Sequence, residues 1–162
     1  GDGTDKHKSL PVKIATEVRQ MSAGNQFSLF VKSDGSLWGV GFDGAGQLGD
    51  NSVQTVHTPK QILTGVRGVA AGQGHTLALK SDGTLWVAGR NDFGQLGTGN
   101  NMDMGRFTQV MTDVLQVEAG GYHTVAVKNG GSVWTTGSNG SGQLGNGKGT
   151  SDVAGFREIS IP

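Results

Sequence analysis

Four histidines are the first residues to weigh for chemistry. His75 and His123 offer imidazoles for proton transfer or metal ligation, because histidine changes charge near neutral pH. Either role needs a convergent partner. The two stand 48 residues apart in matching surroundings, with Phe27 a further 48 residues upstream in the same slot. A slot that accepts phenylalanine points to architecture, so His75 and His123 are expected to hydrogen-bond a neighbouring backbone. His7 and His57 lack metal-ligand spacing. The glycine-rich stretches Gly44-Ala-Gly46 and 137–142 invite a phosphate-loop reading. They lack Gly-Lys-Ser/Thr and lead into no helix, so turns are expected instead. Asp43, Asn91 and Asn139 share one slot and read as Asx turns opening a loop, not calcium ligands. Ser28, Thr76 and Thr124 have no nucleophile-elbow context. Trp38, Trp86 and Trp134 offer faces for stacking sugars or bases, but strict recurrence assigns them to packing. No catalytic residue, metal site or cofactor is expected, and the chain is read as no enzyme.

These residues all sit on one repeat. Ala-Gly recurs at 23–24, 71–72 and 119–120, the tryptophans keep the same 48-residue step, and so do Lys32, Lys80 and Lys128. Gly-Gln-Leu-Gly follows at 46–49, 94–97 and 142–145. Each copy reads as short strands: Val18–Ala23, Val66–Ala71 and Val114–Ala119, then Phe27–Lys32, His75–Lys80 and His123–Lys128. The second set is nearly continuous in apolar residues and is expected to be buried on both faces. Ser-Asp-Gly at 33–35 and 81–83, and Asn129-Gly130-Gly131, supply hairpin turns into Leu37-Trp38, Leu85-Trp86 and Val133-Trp134. A polar loop then leads to a strand ending near Ile62, Val110 and Ile159. No helical period persists.

Composition agrees. The chain has 30 glycines in 162 residues and 34% apolar content, against a usual glycine share of ~7%. With three prolines, turns between short strands fit better than a disordered linker. Thirteen basic and thirteen acidic residues cancel, which leaves no electrostatic footprint for nucleic acid or an anionic membrane. No apolar run approaches the ~20 residues of a membrane helix, and the polar first ten residues are no signal peptide. Compartment stays unassigned, and the absence of cysteine excludes disulfides and thiolate metal sites.

Four antiparallel strands per ~40–50 residues are the signature of a propeller blade. The run Ala71-Gly72, His75-Thr-Leu-Ala-Leu-Lys80, Ser81-Asp-Gly83-Thr-Leu-Trp86, Gly89, Asn91, Gly94-Gln-Leu-Gly97 resembles the repeat of the RCC1 (regulator of chromosome condensation) family, across essentially the whole chain. The resemblance implies propellers that are typically seven-bladed. Characterised members include a guanine-nucleotide exchange factor for a small GTPase, ubiquitin-ligase domains, a photoreceptor and a secreted enzyme inhibitor, so the fold does not fix the function. This chain departs from the pattern at Phe27, and at Phe107 and Gly155, which stand where Pro11 and Pro59 sit in other copies.

The chain reads as a single repeat region, 1–162, with units 1–48, 49–96 and 97–144 and a partial repeat 145–162. The fold class expected is all-β: a partial propeller of three to four blades, completed by missing chain or by oligomerisation. Bare blade faces and strand edges are normally avoided. Three completions stay open: a longer parent chain, two copies closing an even-bladed ring, or head-to-tail packing into a ring or filament. In the last, residues 145–162 take the place that residues 1–18 hold in a neighbour.

Function is expected where the copies differ. Gln26, Gly74 and Tyr122 vary in one slot, Phe42, Arg90 and Ser138 in another, and Ala45, Phe93 and Ser141 in a third; stretches 50–58, 98–106 and 146–154 vary throughout. Loops on rigid scaffolds carry binding, and aromatic and arginine side chains carry most of its energy. Phe42, Arg90, Phe93 and Tyr122 are therefore the candidate contacts. The reading is a non-catalytic protein-binding or assembly module, with a protein partner or self-association and no nucleic acid or membrane. Alternatives are an exchange-factor-like regulator of a small GTPase and a structural subunit of a ring or filament.

Overall fold

The computed structural model describes residues 1–147 and 149–160; residue 148 and the last two residues of the 145–162 segment lie outside them. Twelve strands form: β1 (Val18–Ala23), β2 (Phe27–Lys32), β3 (Leu37–Gly41), β4 (Val56–Leu63), β5 (Val66–Ala71), β6 (His75–Lys80), β7 (Leu85–Gly89), β8 (Met104–Met111), β9 (Val114–Ala119), β10 (His123–Lys128), β11 (Val133–Gly137) and β12 (Val153–Ile159). They make three antiparallel sheets, β1–β4, β5–β8 and β9–β12, each a simple meander. No helix forms among the described residues. The fourth strand of each blade falls in the unit after the one holding its second and third strands, so a blade straddles the 48-residue frame.

Local chemistry builds each hairpin. In the β2–β3 turn the Gly35 amide donates to Lys32 O, as Gly83 does to Lys80 O and Gly131 to Lys128 O, each at 3.0 Å. Asp34 Oδ1 accepts from the Ser36 amide and hydroxyl, and Ser36 Oγ accepts from Trp38 Nε1 at 2.8 Å. Asp82, Thr84 and Trp86 repeat the chain of bonds. The ammonium of Lys32, Lys80 or Lys128 then lies over the matching indole at 4.5–5.1 Å. These tryptophans are half-buried; Trp86 and Trp134 flank the two cores and Trp38 stacks on Phe30.

The cores lie between sheets. One joins Phe27, Leu29, Val31, Leu37 and Leu48 of the first blade to Val66, Val69, Ala78, Ala88 and Phe107 of the second. The next joins Leu77, Leu79, Leu85, Val87 and Leu96 to Val114, Val117 and Ala126. The first two Gly-Gln-Leu-Gly loops thus place their leucines in the cores shared with the following blade, and Leu48 and Leu96 are fully buried. Burying one leucine side chain is worth about 1.5–3 kcal/mol, so the loop is as much an inter-blade pin as a connection. Polar straps add to it. The Arg19 guanidinium donates to Val66 O at 2.6 Å, and that of Arg67 to Val114 O and Leu115 O at 2.9 and 3.0 Å. The third copy has Leu115 in that slot, half-exposed.

Stacked by one repeated step, three blades do not close, and the molecule is a partial propeller. Its end faces show this. Leu77, Leu79 and Leu85 of the second blade are buried, whereas their counterparts Val125, Val127 and Val133 are only partly covered. The expectation that β10 is buried on both faces therefore fails for the third copy, because no fourth blade packs on it. At the other end Met21 is 81% exposed, where Val69 and Val117 are buried. Residues 1–17 form no strand. They lie along the first blade, with the Gly3 amide donating to His57 O at 2.9 Å and Gly1 against Ile14 and Val40.

Candidate functional site

In a four-stranded meander the β1–β2 turn and the β3–β4 loop emerge at the same edge. The backbone locks the two together in every blade: the amides of Phe42, Arg90 and Ser138 donate to the carbonyls of Gln26, Gly74 and Tyr122, each at 2.8 Å. The preceding residues, Gly41, Gly89 and Gly137, have φ of 114°, 104° and 107°. A Cβ at Gly41 would lie 2.4 Å from Gln26 O, so glycine alone permits this closure. Neighbouring turns are stitched as well, with Asn25 N donating to Gln73 O and Gln73 N to Gly121 O. The varying slots 26/74/122 and 42/90/138 therefore line up along one rim.

The four candidates meet there. Asn25, Gln26, Phe42, Ala45, Gln73, Gly74, Arg90 and Tyr122 line a cleft of about 210 Å³. Phe93 packs on Tyr122 with ring centroids 5.1 Å apart and planes tilted by 57°, an arrangement suited to the ring quadrupoles. The Arg90 guanidinium sits 5.8 Å from the Tyr122 ring centre. It also pairs with Asp92, and that bond holds its pKa above the ordinary value. Phe42 folds back over Gly44 yet stays 44% exposed. Across the cleft, Arg90, Phe93 and Tyr122 form a contiguous aromatic and cationic surface.

A buried amide frame holds the rim rigid. Asn91 Oδ1 accepts from the Leu96 amide at 2.9 Å, and its Nδ2 donates to Thr98 Oγ1, Asn100 O and Met102 O at 3.1, 2.8 and 3.0 Å. Asn139 closes its loop the same way through Leu144 N and Gly149 O. These are clasps across the whole loop rather than Asx turns, because the bonded amide lies five residues on. The glutamines were not singled out from sequence. Gln47, Gln95 and Gln143 each accept, through Oε1, from the amide two residues earlier. Gln47 and Gln95 also lend their carbonyls to the hydroxyls of Thr76 and Thr124, at 2.6 and 2.7 Å. Identity across copies was the available signal for these roles, since a polar side chain required in each blade is expected to be satisfied inside it.

The histidines belong to the same scaffold. His75 is fully buried, its ring lies over Gly72, and its Nε2 reaches Thr124 Oγ1 at 3.2 Å. The Thr124 hydroxyl already donates to Gln95 O, so Nε2 carries the proton and donates. The partner is thus a side chain of the next blade, not a backbone group as expected. Burial, helped by the proximity of His123, pushes the His75 pKa down to about 4; burial also lowers that of His123. Among the described residues no cluster of three or more histidine, cysteine or carboxylate groups is placed to hold a metal.

The family pattern described as the Regulator of chromosome condensation (RCC1) repeat matches residues 18–47, 66–95 and 114–143, and in a second form residues 34–79 and 82–127. Among solved structures the fold is similar to human WBSCR16, at 25% identity and a TM-score of 0.79, with 90% of this chain and 40% of that one covered. It is similar also to yeast RCC1 (Prp20) bound to Kap60, at 24% identity and a TM-score of 0.80, covering 90% of this chain and 37% of that one. A further structure is of Prp20p from Saccharomyces cerevisiae, described with its binding to Gsp1p and histones, at 24% identity and a TM-score of 0.80 over 90% of this chain and 39% of that one. The chain spans about two fifths of the length of these structures. No curated protein matches it. The 48-residue repeat, the four-stranded blades and the matched pattern agree, and the chain belongs to the RCC1 repeat family.

Proposed function

We propose that this chain is a non-catalytic protein-recognition module whose contact surface is the rim bearing Phe42, Arg90, Phe93 and Tyr122. One observation carries the reading: aromatic and arginine side chains in slots that differ between copies come together on one rim, Phe42, Arg90 and Tyr122 lining its cleft and Phe93 packing on Tyr122. The positions common to all copies are used up in hinges, clasps and inter-blade pins. The burial of His75 supports a non-catalytic role for it, because a neutral ring packed on glycine and shut from solvent is poorly placed to exchange protons with a substrate. The yeast neighbour is described as binding Kap60, Gsp1p and histones, which supports a protein as the partner class here.

A photo-crosslinking amino acid placed in turn at 42, 93 and 122 tests this, with 34 and 82 on the opposite edge as comparison. Adducts with the same partner from the first set alone are expected; equal yields from 34 and 82 would contradict the assignment. A second reading, an exchange-factor-like regulator of a small GTPase, draws on the family resemblance and is separated by a nucleotide-release assay. Acceleration by the chain favours it, and no acceleration with any GTPase disposes of it.

A further inference from the structure

One clasp differs from the other two. Asp43 fills the slot of Asn91 and Asn139, and the loop around it takes the same shape. Its Oδ1 accepts from the Leu48 amide at 2.8 Å, as Asn91 Oδ1 does from Leu96. Gln54 N is capped by Ser52 Oγ at 3.0 Å, as Met102 N is by Asn100 Oδ1 at 2.9 Å. The backbone bridge between Asp50 and Arg106 repeats that between Thr98 and Gly155. Asp43 Oδ2 therefore takes the place of an amide Nδ2 that donates to three oxygens in the second blade. It is buried and has no hydrogen-bond partner, and the side chain is wholly shut from solvent.

The counterparts of Thr98, Asn100 and Met102 are Asp50, Ser52 and Gln54, so the surroundings again offer acceptors, now including a second carboxylate. The charged groups facing the pair are few. Asp50 Oδ1 is engaged by the Ser52 amide and Oδ2 by the Lys60 ammonium of β4 at 2.6 Å; on β8 the bridging residue is Arg106, whose side chain is exposed. Two carboxylates and one ammonium leave one negative charge over. An oxygen among oxygens needs a hydrogen on it, and asparagine supplies that hydrogen permanently.

We propose that Asp43 closes its loop as the neutral carboxylic acid, its own proton then doing what the amide hydrogens of Asn91 and Asn139 do, so that the loop pinning the first blade to the second is tightened by acid and loosened when that proton is lost. Burial pushes the Asp43 carboxyl up to about 6, the Leu48 amide pulling it back and the charge of Asp50 adding to the rise. The folded state thus binds this proton more tightly than the unfolded chain does. Stability rises as pH falls through about 6 toward the ordinary value of 3.8, and the ionised form weakens the loop at neutral pH. The loop also carries Phe42 and Ala45 of the rim cleft. An effect on recognition rests on the function proposed above; the effect on folding does not.

The test reads folding alone. Urea unfolding of the full chain and of Asp43→Asn is followed between pH 7.5 and 4.5. At pH 7.5 the variant is expected to have a folding equilibrium constant about 100-fold higher, since raising a pKa by one on folding changes that constant about tenfold. The advantage should shrink more than tenfold by pH 4.5. A carboxyl-carbon NMR titration of the unaltered chain needs no variant and should place the Asp43 midpoint near 6. Three results overturn the proposal: a midpoint near 4, parallel pH profiles for the two proteins, or rescue of the neutral-pH chain by millimolar calcium chloride without acid. The last would mean that a cation, not a proton, fills the gap.

Discussion

His75→Phe is the substitution whose outcome is most tightly constrained, because the molecule already contains it. Phe27 stands in the same slot of the first blade, over Gly24 as His75 lies over Gly72, and is itself buried. Thr76, in the slot of Thr124, donates its hydroxyl to Gln47 O just as the Thr124 hydroxyl donates to Gln95 O. The slot accepts a phenyl ring. At pH 7.5 the variant loses the bond from Nε2 to Thr124, worth about 1 kcal/mol net, and also loses a buried, unpartnered Nδ1, whose removal returns a similar amount. The net change should be within about 1 kcal/mol of zero.

Acid separates the two proteins. A histidine whose pKa is depressed from 6.5 to about 4 on folding contributes stability that is fully present above 6.5. That contribution is lost as pH falls toward 4, because the unfolded chain takes the proton first. A depression of that size corresponds to about 3 kcal/mol. Asp43 titrates in the opposite sense over nearly the same range, so the wild-type profile should be flattened there. His75→Phe removes the stronger falling component, leaving the weaker one of His123 against the rising one of Asp43, and its denaturant midpoint should increase as pH is lowered from 6.5 to 4.5. The assay is urea unfolding by tryptophan fluorescence at half-unit pH steps. A variant that loses stability in acid as steeply as wild type, or drops by more than about 3 kcal/mol at pH 7.5, refutes the reasoning.

Three smaller predictions accompany it. Gly72→Ala should destabilise severely, by about 3 kcal/mol or more, since a Cβ there lies 2.1 Å from the His75 ring and 2.7 Å from Gly120 O; Gly121→Ala, with nothing within 4 Å, should be nearly neutral in the same thermal melts. Asn91→Ala removes one accepted and three donated bonds inside the loop and should cost about 3 kcal/mol in urea unfolding. Arg67→Ala cuts the strap to Val114 O and Leu115 O; about 1–2 kcal/mol should be lost, with greater amide exchange in β9 than in β1.

The strands were legible because turn chemistry and apolar runs coincide. Asp-Gly ends β2 and β6, and the Ala-Gly pairs end β1, β5 and β9, so the boundaries follow from residues that tolerate only a turn. Slots that differ between copies were legible too. What a single repeat hides is the step from one blade to the next. That step brings Arg90 of the second blade against Tyr122 of the third, and Thr124 within reach of His75. The Asx-turn reading of Asn91 failed for a local reason: its partner is an amide five residues on, brought to it by the closure of its own loop, as at Asn139 in the third blade, where no further blade follows. Arg19 and Arg67 went unremarked because Leu115 breaks their series, although the carbonyls they reach lie next door in space and 47 residues away in sequence.

Recognition is assigned to the rim and not to the shared scaffold. It is tested most directly by calorimetric titration of the crosslinked partner, once purified, with the wild-type chain and with the Arg90→Ala, Phe93→Ala double variant. Neither residue belongs to the buried inter-blade cores, and losing their contacts with Tyr122 should cost no more than about 2 kcal/mol, so the variant should still be folded at the titration temperature, as a thermal melt would check. Binding should weaken at least tenfold, which is about 1.4 kcal/mol. Unchanged affinity with an intact fold would mean that recognition lies elsewhere on the molecule.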